Sequence, residues 1–199
     1  RLMSIARTDN STLGRWWWTV DRWTLLALMV LATIGVVLAM AASPPVAERI
    51  GLDSLHFVRR QATYLPVALL VVVGVSLLSP VGARRLATIV FLGAVLMLVA
   101  TLMAGTEIKG ARRWISIAGF SLQPSEFVKP ALAVVCAWMF AASRLGEDIP
   151  GNRIAFILFA LVAGLLLLQP DVGQALVVSA VWFSQWFLAG LPMIWVAVT

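Results

Sequence analysis

Six apolar runs, each close to the length that crosses a bilayer, dominate this chain of 199 residues: 23–43, 63–79, 86–104, 125–143, 154–169 and 172–188. A spanning helix needs about 20 apolar residues, because the hydrocarbon layer is about 30 Å thick and a helix rises about 1.5 Å per residue. Lipid offers no partner to a backbone N–H or C=O, so runs of this kind fold as helices that satisfy their own hydrogen bonds. A further run starts near Pro192 and is cut off at Thr199. The pattern predicts an all-α polytopic membrane protein with about six complete transmembrane helices and the start of a seventh, read as part of a longer protein. Residues 1–22 read as a cytoplasmic segment, and 23–199 as an incomplete transmembrane domain with an outer loop at 105–125. Composition agrees: 61% of residues are hydrophobic and 12% charged, where soluble domains are about half apolar and about a quarter charged.

The net charge is +6, and 13 of the 15 basic residues are Arg. On a membrane protein such an excess points to topology and anionic headgroups, not to nucleic acid. Arg1, Arg7, Arg15 and Arg22 place the N-terminus in the cytoplasm, and alternating spans put Arg84, Arg85, Arg144 and Arg153 on the same side. Arg49, Arg59, Arg60, Lys109, Arg112 and Arg113 then face outward. The positive-inside bias is weak, and the orientation rests on Arg15, Arg22, Arg84, Arg85 and Arg144, which lie close to span ends. Binding an anionic substrate outside would account for the outer six. Trp16, Trp17, Trp18 and Trp23 read as an interfacial belt. Ser43-Pro44-Pro45, Leu78-Ser79-Pro80 and the stretch from Asp148 to Gly151 read as span-ending turns. Cys136 stands alone in an apolar run and His56 alone in a loop, which is neither a disulfide framework nor a metal cluster. No cleavable signal peptide is evident.

Chemistry concentrates between residues 105 and 130, where Glu107, Lys109, Arg112, Arg113, Glu126 and Lys129 lie beside two apolar runs. Charge at the edge of the hydrocarbon is costly, and a chain that keeps it there usually uses it. Lys109, Arg112 and Arg113 with Trp114 form a basic-aromatic cluster suited to headgroups or to a pyrophosphate. Residues 114–120 alternate enough to lie along the membrane surface as an amphipathic or re-entrant segment. Pro124 suits the first position of a helix, and Glu126 then falls in its first turn, with Lys129 on the same face. That pair reads either as an ion pair steadying a helix start or as the wall of an outward-facing cavity. Gln169 to Gln174 separates two spans with almost no loop, so the turn is buried at or near membrane depth. Pro170 and Asp171 read as the first two positions of the next helix, with Asp171 either a cap or a polar group held in the site.

Three stretches, KGARRWI at 109–115, QPSEFVK at 123–129 and QPDVG at 169–173, resemble the signatures of the SEDS family (shape, elongation, division and sporulation proteins). The likeness covers the chain after about residue 20. In the first outer loop, PVAERI at 45–50 and FVRRQ at 57–61 look more like FtsW than RodA. The family usually has Thr after the glycine of the third motif, where this chain has Gln174.

The resemblance implies a ten-span fold and a peptidoglycan glycosyltransferase that polymerises lipid II in septal cell-wall synthesis. It further implies a multi-pass protein of the bacterial cytoplasmic membrane. Expected partners are lipid II, a class B penicillin-binding protein (the FtsI-like transpeptidase), other division proteins and membrane lipids. The family's proposed catalytic aspartate follows the seventh span, beyond residue 199, so Asp171 does not take its place. Substrate binding falls to Lys109, Arg112 and Arg113 at the headgroup and pyrophosphate, Lys129 as a cavity cation beside Glu126, and Asp171 in support. A need for a divalent cation stays open. The alternatives are a flippase for the lipid-linked precursor and a non-catalytic division scaffold. A flippase needs a polar path to the cytoplasmic face, whereas 23–43, 86–104 and 154–168 carry no charge apart from their ends.

Overall fold

A computed structural model of the chain describes residues 11–108, 111–117 and 120–190. In chain order the elements are α1 (Thr12–Thr19), α2 (Arg22–Arg49), α3 (His56–Ser76), α4 (Pro80–Ala104), β1 (Thr106–Ile108), β2 (Ala111–Ile117), β3 (Phe120–Leu122), α5 (Pro124–Arg144), α6 (Gly151–Leu168) and α7 (Val172–Leu188). Helices α2 to α6 are long and apolar enough to cross a membrane, and α7, with 17 residues, falls just short. All six expected spans are therefore helices. The run starting at Pro192 lies outside the described residues, as do Arg1, Arg7 and Lys109.

The chain divides into two compact units, Arg1–Ser79 and Pro80–Thr199. In the first, Asp21 caps α2: its carboxylate accepts the Trp23 N–H at 3.0 Å and the Thr24 hydroxyl at 2.6 Å. The Thr24 bond, followed by the Trp23 bond, holds this carboxyl below its ordinary range. The Arg22 guanidinium lies over the rings of Trp17 and Trp18, at 5.3 and 5.2 Å. Trp16 Nε1 donates to Ser76 Oγ at 2.8 Å, tying α1 to the end of α3.

Two expectations are corrected here. Pro44 and Pro45 do not end the first span; α2 continues through them to Arg49. They lie 22 and 23 residues past Arg22, about 33 Å along the helix and so beyond a hydrocarbon layer of about 30 Å. There, the Met40 and Ala41 carbonyls freed by the missing proline donors can find other partners. The second span starts at His56 instead of residue 63, so His56, Arg59 and Arg60 are helical and not loop residues. Arg59 pairs with Asp53 at 3.1 Å, but both side chains are mostly exposed, where an ion pair contributes little.

The second unit packs α4, α5, α6 and α7 around one buried cluster. On α4 the buried positions Ala87, Phe91, Ala94, Leu98 and Thr101 recur every three or four residues, the spacing of one helix face. They meet Val128, Leu132, Val135, Cys136 and Phe140 of α5. Trp182 of α7 is stacked on Phe159, with centroids 4.6 Å apart, and its Nε1 donates to the Ala155 carbonyl at 3.2 Å. Among lipids as apolar as the helices, close van der Waals fit and such hydrogen bonds replace the hydrophobic drive.

Between α4 and α5 stands a three-stranded antiparallel sheet in the order β1-β2-β3. Glu107 lies opposite Arg112, and Ser116 opposite Ser121. Residues 114–117, expected to form an amphipathic or re-entrant segment, are thus strand. Ile115, Ser116 and Ile117 alternate with the period of a strand, and pairing with β1 and then β3 gives β2 partners for its backbone.

At Gly151 the start of α6 lies against the α5 backbone: a Cβ there would overlap the Met139 carbonyl, whereas one at Gly164 would meet nothing. Gly151→Ala should lower stability by about 1–3 kcal/mol through overpacking, read as a fall in thermal unfolding temperature in detergent. Gly164→Ala should leave it level or raise it, since Ala is the better helix former.

Candidate functional site

Four element ends meet at one end of the second unit: the C-termini of α4 and α6 and the N-termini of α5 and α7. Residues 169–171 join α6 to α7, too few to leave this junction, and Gln169 and Asp171 are only 2% and 4% exposed. Buried polar groups need partners. The Gln169 amide donates to the Leu98 carbonyl of α4 at 3.0 Å. The Asp171 N–H donates to the Leu166 carbonyl at 2.9 Å.

Asp171 is the N-cap of α7, and Val172 is its first residue. The helix therefore starts two residues later than expected from Pro170 as its first position and Asp171 as its second. The Asp171 carboxylate faces the Gln174 N–H at 3.5 Å, where the partial positive charge of the helix start favours it. Its other oxygen lies 3.7 Å from Arg113 Nε, and Arg113 Nη2 donates to the Pro170 carbonyl at 3.0 Å. At 3.7 Å the pair is within ionic reach but not hydrogen-bonded. Arg113 Nε and Asp171 Oδ2 are both enclosed, and neither has a hydrogen-bond partner among the described residues.

Beside this pair, Pro124 occupies the first turn of α5, as expected. Lys129 Nζ donates to Glu126 Oε1 at 2.9 Å and to Gln174 Oε1 at 2.7 Å. The Gln174 amide nitrogen donates to the same Glu126 oxygen at 3.0 Å. The three side chains close a ring of hydrogen bonds between α5 and α7. The Lys129 side chain is 22% exposed and that of Glu126 52%, so the cation is the more sheltered partner. An ammonium has three donors; two are used, and one remains for an incoming anionic oxygen.

Of the residues singled out from sequence, Glu126 and Lys129 come together directly, and so do Arg113 and Asp171. Gln174 links the two pairs, through its backbone to Asp171 and through its side chain to Glu126 and Lys129. Arg112 parts from Arg113, because successive residues of a strand point to opposite faces. Lys109 lies outside the described residues. Sequence reasoning noted Gln174 only as a departure and passed over Gln169. The missed signal is positional: Gln174 is third after the cap Asp171, where a Gln side chain ordinarily reaches back to its own helix start. Among the described residues, no group of three or more His, Cys, Asp or Glu comes together to hold a metal.

The family model for cell cycle proteins of the FtsW, RodA and SpoVE type matches residues 22–199. The probable peptidoglycan glycosyltransferase FtsW of Caulobacter vibrioides is 44% identical over 194 residues, covering 97% of this chain and 50% of that protein. The crystal structure of the rod shape determining protein RodA of Thermus thermophilus is 31% identical with a TM-score of 0.68, covering 88% of this chain and 56% of that one. A solved peptidoglycan synthase complex, described as coordinating polymerization and crosslinking, is 31% identical with a TM-score of 0.72, over 91% of this chain and 51% of that chain. The chain spans about half the length of the curated relatives it matches.

Because Arg113 and Asp171 share one enclosed contact, their losses should not add. Asp171→Ala should cost about 1–2 kcal/mol as a lost cap. With Arg113→Ala, the double variant should lose less than the sum of the singles, measured by thermal unfolding of the four proteins in one detergent.

Proposed function

The chain belongs to the cell cycle protein family that takes in FtsW, RodA and SpoVE, and on that footing we propose that it forms part of a peptidoglycan glycan polymerase using lipid II in septal cell-wall synthesis. The observation that carries the reading is the ring of Glu126, Lys129 and Gln174 joined to Arg113 and Asp171 at one end of an otherwise apolar unit.

In the reaction, a sugar hydroxyl of one lipid-linked disaccharide attacks the anomeric carbon of another glycan. The bond from that carbon to undecaprenyl pyrophosphate breaks, and a base takes the hydroxyl proton. The leaving pyrophosphate gains negative charge, so cations fixed in place before the reaction lower the barrier. Lys129 meets that need with its free N–H, and Arg113 with the outer edge of its guanidinium. Glu126 and Gln174 hold the ammonium in position, and Asp171 does the same for Arg113. Arg112 and Lys109 serve the headgroup side. The base belongs outside these residues, and Asp171 is not assigned to it: it is engaged as a cap.

This multi-pass membrane protein would sit in the bacterial cytoplasmic membrane at the septum, with its N-terminus inside and the charged end outside. Its partners would be a class B penicillin-binding protein and other division proteins; the likeness to a synthase complex that couples polymerization to crosslinking supports that choice. A flippase is less well supported. Among the described residues of the second unit, the buried polar residues Thr101, Ser125, Gln169 and Asp171 all lie at the charged end, and farther along the bundle the Gln185 amide is tied to the Ala133 carbonyl.

Losing a charge-assisted hydrogen bond costs about 1.5–3 kcal/mol, so Lys129→Ala and Arg113→Ala should each slow glycan-chain formation from lipid II by roughly 10- to 100-fold. Gln174→Leu should slow it less, because Glu126 still holds the lysine. The assay uses the full-length protein with its transpeptidase partner. Wild-type rates for both cation variants at normal expression would sink the proposal.

A further inference from the structure

At the other end of the second unit, a cavity of about 490 Å³ opens between the first turns of α4 and the last turns of α5, lined by Val81, Arg84, Arg85, Thr88, Ile89 and Trp138. The Arg84 guanidinium lies over the Trp138 ring, 5.3 Å from its centroid. Stacking of this kind pre-orients an arginine while leaving its N–H edge free. Arg85 is exposed at the same rim. Among the described residues, neither guanidinium has a carboxylate partner, although Glu147 and Asp148 belong to the α5–α6 connection at this end.

The depth of the cavity is set by helix geometry. Arg84 and Arg85 are the fifth and sixth residues of α4, and Trp138 lies six residues before the end of α5. At about 1.5 Å per residue, all three fall within about 9 Å of the helix ends. This is where the headgroup layer gives way to acyl chains and where arginine and tryptophan are favoured. Below the two cations the walls are apolar, formed by Val81, Ile89 and the Trp138 ring. A site with two unpaired cations above and an apolar slot below suits a molecule with an anionic phosphate and an acyl chain.

We propose that this cavity is a binding site for the headgroup of an anionic glycerophospholipid, with Arg84 and Arg85 on the phosphate and an acyl chain along Ile89. The apolar walls favour a lipid over free phosphate. The inference does not rest on the polymerase reading, since it uses only the span ends and the cavity.

The test is native mass spectrometry of the full-length protein in detergent, titrated with dioleoyl phosphatidylglycerol or dioleoyl phosphatidylethanolamine. Wild-type protein should retain the anionic lipid roughly tenfold better than the zwitterionic one. Arg84→Gln with Arg85→Gln should weaken phosphatidylglycerol by roughly tenfold, while Arg84→Lys with Arg85→Lys should keep most of the binding. Arg144→Gln, at the same end but bonded to the Leu188 carbonyl, should leave it unchanged. Equal binding by wild type and the double glutamine variant would overturn the proposal. So would an equal loss in Arg144→Gln, which would mark diffuse attraction, or displacement of the lipid by millimolar inorganic phosphate. Glycan polymerisation is not the readout, so the two proposals fail separately.

Discussion

Asp171 and Gln169 are almost wholly buried in the turn between α6 and α7, and the charged end of the protein is organised around that fact. Only residues 169–171 join the two helices; Pro170 lies at the surface while Gln169 and Asp171 are buried on either side of it, so the polar groups of those two must be met from within. The Gln169 side chain supplies the Leu98 carbonyl, and Asp171 caps α7. With the turn pinned, α7 starts beside α5, and Gln174 is carried to Glu126 and Lys129. Arg113 comes to the same place from a different element, because β2 runs along the end of the bundle.

The network is more than a set of surface ion pairs. An exposed pair such as Arg59 with Asp53 contributes little. The ring at the start of α5 differs in that one amide, Gln174, accepts from the lysine and donates to the glutamate at once. A neutral residue thereby fixes the geometry of two charged ones without adding charge to a costly environment. Arg113 and Asp171 stand in contrast: close, enclosed and not quite bonded, a contact that an anionic ligand on the guanidinium would rearrange.

The two ends of the second unit use arginine differently. At the charged end Arg113 is held by a carbonyl and a carboxylate, as suits a cation that must keep one position. At the far end, among the described residues, the Arg84 guanidinium is held by an aromatic face alone, which orients it and leaves its hydrogen-bonding edge open. Between them runs an apolar core from Leu98 to Trp182 in which small residues such as Ala155 and Gly151 let the helices close.

Much of this was legible in sequence, because lipid leaves a long apolar run little choice but a helix; the six spans, the helix start at Pro124 and the facing of Glu126 and Lys129 follow from period and position alone. The limits were local competitions. Pro44 and Pro45 read as a stop, yet they fall past the hydrocarbon, where a lost donor matters less. The stretch around Trp114 read as a surface segment, though its two-residue alternation was that of a strand. Which residues meet across elements was beyond the sequence. It named Arg113 and Asp171 separately, grouped Arg112 with Arg113, and set Gln174 aside as a departure. Only the tertiary packing parted the two arginines onto opposite faces of β2, and only the parallel seating of the α5 and α7 starts made Gln174 the link. A contact between residues 45 positions apart depends on how helices pack, and no pattern along a single helix encodes that.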